Sequence, residues 1–275
     1  MAAHWHAGRF ILPLQRPLVM GIVNVTPDSF SDGGQHADEL RALRHAQVLI
    51  EEGADILDIG GESSRPGSPR LTHAQEWARI GPVLEEVVRW NVPVSVDTYQ
   101  PETMRRALDL GVDIINDIHA LQRPGALEAV AGMTAGICLM HMQGDPESMQ
   151  QSPHYTEVFV DVRDFLLTRA RVVESAGIAQ KSIVLDPGFG FGKTLEHNLA
   201  LAKRLPELAQ SGYALLVGVS RKSMVGALTG REVAARLPGS LAAALACVAA
   251  GAQIVRVHDV GPTVDAIKVW HAMAR

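Results

Sequence analysis

Long apolar runs are missing from this sequence, as are other features that mark large classes of protein. No stretch approaches the roughly 20 apolar residues of a membrane-spanning helix. The N-terminus, MAAHWHAGRF, lacks the cationic start and the apolar core of a signal peptide. The chain has no basic tract and its net charge is −5, which argues against nucleic acid as the main partner. We therefore expect a cytoplasmic protein with neither a membrane nor a nucleic-acid partner.

Cysteine is also scarce. Cys138 and Cys247 both lie in apolar segments, where a small buried side chain is a simpler interpretation than a disulfide or a metal ligand. The hydrophobic share of 47% is that of a globular chain with a full core. The length of 275 residues suits one α/β barrel of about 250 residues. We expect a single domain over residues 1–275.

Eight short apolar runs recur along the chain, and stretches with helical spacing separate them. The runs are 18–24, 55–60, 93–97, 113–116, 136–141, 182–186, 214–218 and 253–258. Polar residues stand at or just after their ends: Asn24, Glu62, Asp97, Asn116, His141, Asp186, Lys222, Arg256 and His258. This alternation predicts an α/β fold, a (β/α)8 TIM barrel in which all these ends meet at one catalytic rim.

Apolar spacing of three and four predicts the helices between the runs. They are 40–52, 72–90, 101–110, 155–176, 194–210, 240–250 and 262–274, with a weak helix near 125–131. Before the first run, residues 9–14 predict a short N-terminal hairpin that closes the bottom of the barrel. Residues 26–37 and 61–71, after the first two strands, are predicted to be long irregular loops that act as mobile lids on the rim.

Eight segments of the chain carry a specific resemblance. In chain order they are MGIVNVTPDSFSDGG (20–34), DIGGESSRPG (58–67), SVDT (95–98), INDI (115–118), LMHMQG (139–144), LDPGFGFGK (185–193), GVSRKS (218–223) and IVRVHDV (254–260). In sequence and order they resemble the dihydropteroate synthases. The resemblance implies condensation of para-aminobenzoate with 6-hydroxymethyl-7,8-dihydropterin diphosphate to give 7,8-dihydropteroate and diphosphate. It also implies inhibition by sulfonamides, which mimic aminobenzoate.

A pterin ring has an edge of alternating donors and acceptors, so its pocket needs a carboxylate, an amide and a cation in fixed positions. By resemblance, Asp186 accepts from the ring N3 and 2-amino groups, Asn116 binds the pyrimidine side, and Lys222 reaches the ring carbonyl and N5. Taken singly, these residues are also typical of a helix N-cap, a turn and a solvated lysine. The full set implied for the pterin is Asp97, Asn116, Met140, Asp186, Gly190 and Lys222.

Asp97 has two interpretations. Its position before the helix that opens at Pro101 is typical of an N-cap. The resemblance implies a chemical role, because loss of diphosphate from the pterin CH2 leaves a cation that a nearby buried carboxylate stabilises. Asp97 is then the principal electrostatic catalyst, with Lys222 and Asp186 completing the catalytic set.

Arg256 and His258 alternate along the last strand, so both side chains point the same way. An arginine in an apolar strand predicts an anion partner, since burying an unpaired charge is costly. The resemblance implies that Asn24, Ser64, Arg256 and His258 bind the diphosphate, and that the Asn24 amide oxygen holds Mg²⁺.

The glycine-rich segment 186–193 lacks the spacing of a phosphate-binding P-loop, so we interpret its glycines as allowing close approach to the backbone. The residues implied for aminobenzoate are Ser64, Arg65, Pro66, Phe191, Ser220, Arg221 and Lys222. Ser64 departs from the threonine usual in the family; the hydroxyl is kept and a methyl is lost. The response to sulfonamides therefore does not follow from the motif.

Two features keep two interpretations each. His141 either lines the pterin slot beside Met140 or is a buried structural histidine. The alanine-rich helix over 241–250 either forms the interface of the homodimer that the resemblance implies, or only packs on the barrel.

Two other functions compete with the synthase. A corrinoid methyltransferase that uses methyltetrahydrofolate would keep a pterin pocket but has no need of Arg256, His258 and the Ser64–Arg65–Pro66 segment. A non-catalytic pterin-binding paralogue would be expected to lose part of the set that this chain retains: Asn24, Asp97, Asp186, Lys222, Arg256 and His258.

Overall fold

A closed barrel of eight parallel strands forms the centre of the protein. The computed structural model describes residues 2–26, 34–62 and 70–274, with the backbone alone at 34–37. The barrel strands are β3 (Leu18–Asn24), β4 (Ile56–Gly60), β5 (Val94–Asp97), β6 (Ile114–Asp117), β7 (Gly136–Met140), β8 (Ile183–Asp186), β9 (Ala214–Val217) and β10 (Ile254–Val257). They pair in chain order and β10 closes on β3. The predicted (β/α)8 barrel is confirmed.

Helices cover the outside of the barrel. They are α1 (Gly34–Glu51), α2 (His73–Val87), α3 (Pro101–Leu110), α4 (Ala126–Val130), α5 (Val158–Ser175), α6 (Leu195–Lys203), α7 (Leu205–Ala209), α8 (Ser223–Thr229), α9 (Leu237–Ala249) and α10 (Val260–Met273). Their apolar faces pack on the outward side chains of the strands in one continuous core. Among the described residues, none of the helices could cross a lipid bilayer.

Three helix predictions need correction. The predicted helix over 194–210 is two helices, because Pro206 in the first turn of α7 cannot continue the preceding helix. Helix α8 was not predicted, since seven residues are too few to show a period. Helix α1 begins at Gly34, so the predicted irregular segment 26–37 was wrong for residues 34–37. The proposed lids otherwise lie largely outside the described residues.

The predicted N-terminal hairpin is present and closes the bottom of the barrel. Its strands β1 (His4–Ala7) and β2 (Phe10–Pro13) pair antiparallel. Trp5 is 0% exposed, packs with the lowest inward side chains of the barrel, and donates from Nε1 to the Ser182 carbonyl at 3.0 Å. Arg9 forms an ion pair with buried Asp113 at 2.7 Å. The opposite, carboxyl end is left for ligands.

Candidate active site

The period of two along a strand places the polar residues of the site. Met20, Ile56, Ile114, Cys138, Val184 and Ile254 face the barrel interior beside Trp5. Side chains two residues further along point to the same side and lie nearer the carboxyl rim. On four of these strands that next residue is Asp58, Asn116, Asp186 or Arg256. An apolar layer therefore supports a charged one.

Arg256 joins two carboxylates at the centre of this layer. Its Nε donates to Asp58 Oδ2 and its Nη2 to Asp97 Oδ2, both at 2.6 Å. Asp58, which is 0% exposed, also accepts from Ser95 Oγ at 2.6 Å and from Asn116 Nδ2 at 3.2 Å. The anion partner predicted for Arg256 is thus supplied, within the chain, by two aspartates.

The charge balance of this cluster affects Asp97. Burial raises the pKa of Asp97 to about 7; Arg256 opposes the rise, and the Asp58 carboxylate adds to it. Two carboxylates share one guanidinium, so the cluster has an excess of negative charge when both are ionised. It can therefore stabilise a further positive charge next to Asp97. Within the described part of the chain, Arg256 bonds the two carboxylates through the Nε and Nη2 edge of its guanidinium, and its side chain remains 20% exposed.

Asp186 and Lys222 form a second charged pair across the mouth of the barrel. Asp186 Oδ1 accepts from the Gly188 backbone N–H at 2.7 Å, and burial raises the pKa of the carboxyl while Lys222 opposes the rise. Lys222 donates from Nζ to the Phe189 carbonyl, and burial lowers its pKa to about 8. With its remaining lone pairs Asp186 can accept, and with its remaining N–H groups Lys222 can donate, hydrogen bonds at the edge of a heteroaromatic ring.

The loop after β8 forms one wall of the mouth. The Phe191 ring centre lies 4.3 Å from Lys222 Nζ. Gly190 has a left-handed φ of 78°, and a Cβ there would stand 3.1 Å from Lys222 Cδ, so a residue with a side chain would be strained and would press on Lys222. Partly buried Phe191 packs on an apolar cluster that includes Met140 and Tyr99. A flat ring would meet an aromatic side chain, a cation and a thioether here.

The loops after β9 and β10 bring Ser220, Arg221 and His258 to the rim. Ser220 Oγ is 3.1 Å from His258 Nδ1. Arg221 makes a bidentate pair with Asp259, at 2.9 Å from Nε and 2.5 Å from Nη2. Arg221 is therefore held at the edge of the rim by a carboxylate of the protein, while Ser220 and His258 lie closer to the strands.

Comparison with known proteins identifies the family. The pterin binding enzyme family model matches residues 20–258. A curated dihydropteroate synthase from Neisseria meningitidis serogroup C is 57% identical over 279 residues, covering 99% of this chain and 99% of that protein. This chain belongs to the dihydropteroate synthase family. The resemblance found in the eight motifs is confirmed.

Solved structures of dihydropteroate synthases share the fold over nearly the full chain. The Xanthomonas albilineans enzyme with 4-aminobenzoic acid has a TM-score of 0.93 and 47% identity, covering 100% of this chain and 99% of that one. The Burkholderia cenocepacia enzyme complexed with 7,8-dihydropteroate has a TM-score of 0.91 and 48% identity, covering 99% and 96%. The Yersinia pestis enzyme in a sulfonamide complex has a TM-score of 0.93 and 47% identity, covering 98% and 99%.

The Mg²⁺ site implied by the resemblance has Asn24 as its single predicted protein ligand. Asn24 ends β3 at the rim with an exposed side chain. The described residues contain no group of three His, Cys, Asp or Glu side chains able to hold a metal. A single amide oxygen fits a Mg²⁺ ion whose other ligands are diphosphate oxygens and water. The predicted residues Ser64, Arg65 and Pro66 lie outside the described residues.

Two features of this synthase site were missed or left open by the sequence. Asp58 was not predicted, although a carboxylate in the middle of the apolar strand LDIG is a signal that could have revealed it. His141, which had two interpretations, is buried, with Nδ1 3.0 Å from Lys193 Nζ and its ring edge-on to Phe165. Burial lowers the pKa of His141 to about 3, so it is neutral and acts as a support beneath the mouth.

Proposed function

We propose that this chain catalyses the condensation of para-aminobenzoate with 6-hydroxymethyl-7,8-dihydropterin diphosphate. The C–O bond to diphosphate breaks, and the electron pair leaves with diphosphate. The arylamine nitrogen then forms the new C–N bond and releases a proton. Family membership supports the reaction, and the observation that carries the mechanism is the Asp58–Arg256–Asp97 cluster beside Asn116, Asp186 and Lys222.

Three side chains are proposed to bind the pterin ring. Asp186 accepts from N3 and the 2-amino group, since among the described residues only Gly188 N–H bonds its side chain and further lone pairs remain. Asn116 donates to Asp58, which orients its amide oxygen for a ring donor. Lys222 donates to the ring carbonyl and N5. Met140 and Gly190 complete the slot.

Asp97 is proposed to stabilise the cation left on the pterin CH2 when diphosphate departs. A carboxylate fixed by Arg256 costs no reorganisation as that charge develops. The active form is the ionised one, so the raised pKa makes activity sensitive to pH near neutrality. No nucleophile from the protein is needed, because the amine attacks the cation directly.

Arg256 is proposed to bind the departing diphosphate with His258, Asn24 and Ser64. Within the described part of the chain, two of its five guanidinium N–H groups bond Asp58 and Asp97, which leaves three for phosphate oxygens. Asn24 would hold Mg²⁺ through its amide oxygen. Bound there, Mg²⁺ supplies charge neutralisation to the diphosphate.

The aminobenzoate is proposed to lie above the pterin, against Phe191 and Ser220 and beside Lys222, with Ser64, Arg65 and Pro66 on the other side. Arg221 would bind its carboxylate only by exchanging the contact with Asp259. Sulfonamides would occupy the same place because they mimic aminobenzoate in size and charge.

Three wider expectations belong to the same proposal. We propose one domain over residues 1–275, supported by the docking of the hairpin on the barrel. Cytoplasmic location is supported by two buried free cysteines. A homodimer through α9 and its neighbours is supported by the exposed apolar side chains Leu228 and Val269 on the adjacent helices.

The decisive experiment measures diphosphate release from purified protein given the pterin diphosphate and Mg²⁺, with and without para-aminobenzoate. Release that depends on aminobenzoate and yields dihydropteroate is expected. Pterin binding without turnover would indicate the non-catalytic paralogue. Methyl transfer from methyltetrahydrofolate to a corrinoid, without diphosphate release, would indicate the methyltransferase.

A further inference from the structure

Lys193 is a buried lysine at the end of the loop that follows β8. Its side chain reaches inward, and the residue is 3% exposed. Within residues 2–26, 34–62 and 70–274, none of the ion pairs includes Lys193. Burial lowers its pKa to about 7, with Lys222 adding to the effect and Asp186 opposing it. Such a group is costly to bury, so its partners are informative.

Those partners are main-chain carbonyls from two loops. Lys193 Nζ donates to the carbonyls of Gly188 at 2.9 Å, Phe191 at 3.0 Å and His141 at 3.3 Å, and it lies 3.0 Å from His141 Nδ1. An ammonium group has three N–H donors, and these carbonyls can take all of them. The Lys193 side chain thus connects the end of β7 with both halves of the loop after β8.

That loop has little regular structure of its own. Gly188, Gly190 and Gly192 have left-handed φ angles of 68°, 78° and 61°. Apart from Lys193, the loop is held by a turn bond from Phe191 N–H to the Gly188 carbonyl at 3.1 Å and by Asn198 Oδ1, which accepts from Gly190 N–H at 2.8 Å. Yet it carries two groups that place Lys222, namely the Phe189 carbonyl and the Phe191 ring. The loop must keep one conformation for the Phe189 carbonyl and the Phe191 ring to stay in place beside Lys222.

We propose that Lys193 is a positioning residue for the pterin slot, whose ammonium group fixes the loop after β8 so that Phe191 and the Phe189 carbonyl hold Lys222 toward the ring. This rests on the proposed function, in which Lys222 contacts the pterin. If only packing mattered, a methionine of similar length would fill the site without the cost of a buried charge. The carbonyl contacts are what methionine cannot supply.

The test uses Lys193→Met in the full chain, with Lys203→Met on the exposed face of α6 as the matched control. Binding of a 6-hydroxymethylpterin without diphosphate is followed by pterin fluorescence, and binding of inorganic diphosphate by competition. Lys193→Met should weaken pterin binding by about tenfold or more, the loss expected for about 1.4 kcal/mol. Diphosphate affinity should stay within about twofold, and Lys203→Met should change neither.

A folded Lys193→Met variant with wild-type pterin affinity would overturn the proposal. An equal loss of pterin and diphosphate affinity would also overturn it, by showing a general disturbance of the barrel mouth. If Lys193→Met does not fold, Lys193→Leu, which also lacks an N–H donor, takes its place under the same criteria. Neither ligand assay requires turnover, so a wild-type protein that binds pterin but forms no dihydropteroate would refute the proposed reaction and leave this test readable.

If Lys193 acts through the loop, the losses of pterin affinity caused by substitutions at Lys193 and Phe191 should not add. Phe191→Leu should weaken pterin binding in the wild type but add little in the Lys193→Met background, since the ring is then already misplaced. Full additivity of the two losses would show that Lys193 does not act through Phe191.

Discussion

The two ends of the barrel both bury charge, but they use it differently. At the amino end, Asp113 accepts from Arg9 Nε at 2.9 Å, from Arg9 Nη2 at 2.7 Å, and from two backbone N–H groups, of Arg9 and Val94. Its oxygens are satisfied by the protein itself. Asp113 consequently stabilises the fold at that end.

At the carboxyl end, the buried charged groups are not fully paired within the described part of the chain. Asp97 and Lys222 have pKa values moved toward neutrality by burial, to about 7 and about 8. Within the described residues, Arg256 keeps N–H groups that bond no protein atom, and we propose that they bind diphosphate. Buried charge alone therefore does not mark a functional site; groups with remaining donors or acceptors and shifted pKa values do.

Asp97→Asn should produce the largest effect. It keeps the shape but removes the negative charge that faces the developing cation, so we expect kcat to fall by about 100-fold or more. Pterin affinity should change little. Steady-state kinetics together with pterin fluorescence would check this; wild-type turnover in the variant would remove the catalytic role of Asp97.

Arg256→Ala should weaken binding of diphosphate and of the pterin diphosphate by about 30-fold, corresponding to about 2 kcal/mol for a charged contact. Binding of pterin without phosphate should be retained. Competition assays with inorganic diphosphate provide the measurement. Arg9→Ala removes an arginine from the opposite end and is the control; if both variants lost diphosphate affinity equally, the comparison between the two ends would fail.

Asp113→Asn should lower the free energy of unfolding by about 2 kcal/mol, because it weakens charged hydrogen bonds to Arg9. The kcat of the folded enzyme should be unaffected. Urea unfolding and kinetics on the same preparation test both statements. A selective loss of kcat at unchanged stability would contradict the assignment of the amino end to folding.

The pH profile of kcat/KM should be bell-shaped, with limits near 7 and 8. Asp97 acts as a carboxylate, so activity falls as pH drops through its raised pKa, by about tenfold one unit below it. Lys222 acts as an ammonium, so activity falls as pH rises through its lowered pKa. In Asp113→Asn the profile should not move. A flat profile from pH 5 to 10 would contradict both roles.

The sequence predicted the barrel well because each βα unit is a local pattern. Strand ends and helix faces can be counted along the chain, and the rim residues Asp97, Asn116, Asp186 and Arg256 follow from where the strands end. Helix α8 was too short for an apolar period to be recognised. The apolar spacing over 194–210 continued through Pro206, although the helix is interrupted there.

Contacts between distant residues could not be predicted in the same way. Arg256 was expected to face an anion, but its partner Asp58 is 198 positions away, and only closure of the barrel brings β10 beside β3 and near β4. The pairing of Arg221 with Asp259 and the capture of three carbonyls by Lys193 likewise depend on loop conformation. The motifs contain several of these residues, but they do not show which residues contact each other in the folded chain.

Trp5, which closes the amino end of the barrel, can report on the docking of the hairpin through its fluorescence. Trp5 is fully buried among apolar side chains, whereas Trp77, Trp90 and Trp270 are only partly buried. In a variant in which the other three tryptophans are replaced by phenylalanine, a red shift of the emission would signal that the hairpin has come away from the barrel. Pterin fluorescence reports on the carboxyl end of the barrel. One sample can therefore show whether a variant has lost the docking of the hairpin or the binding of its ligand.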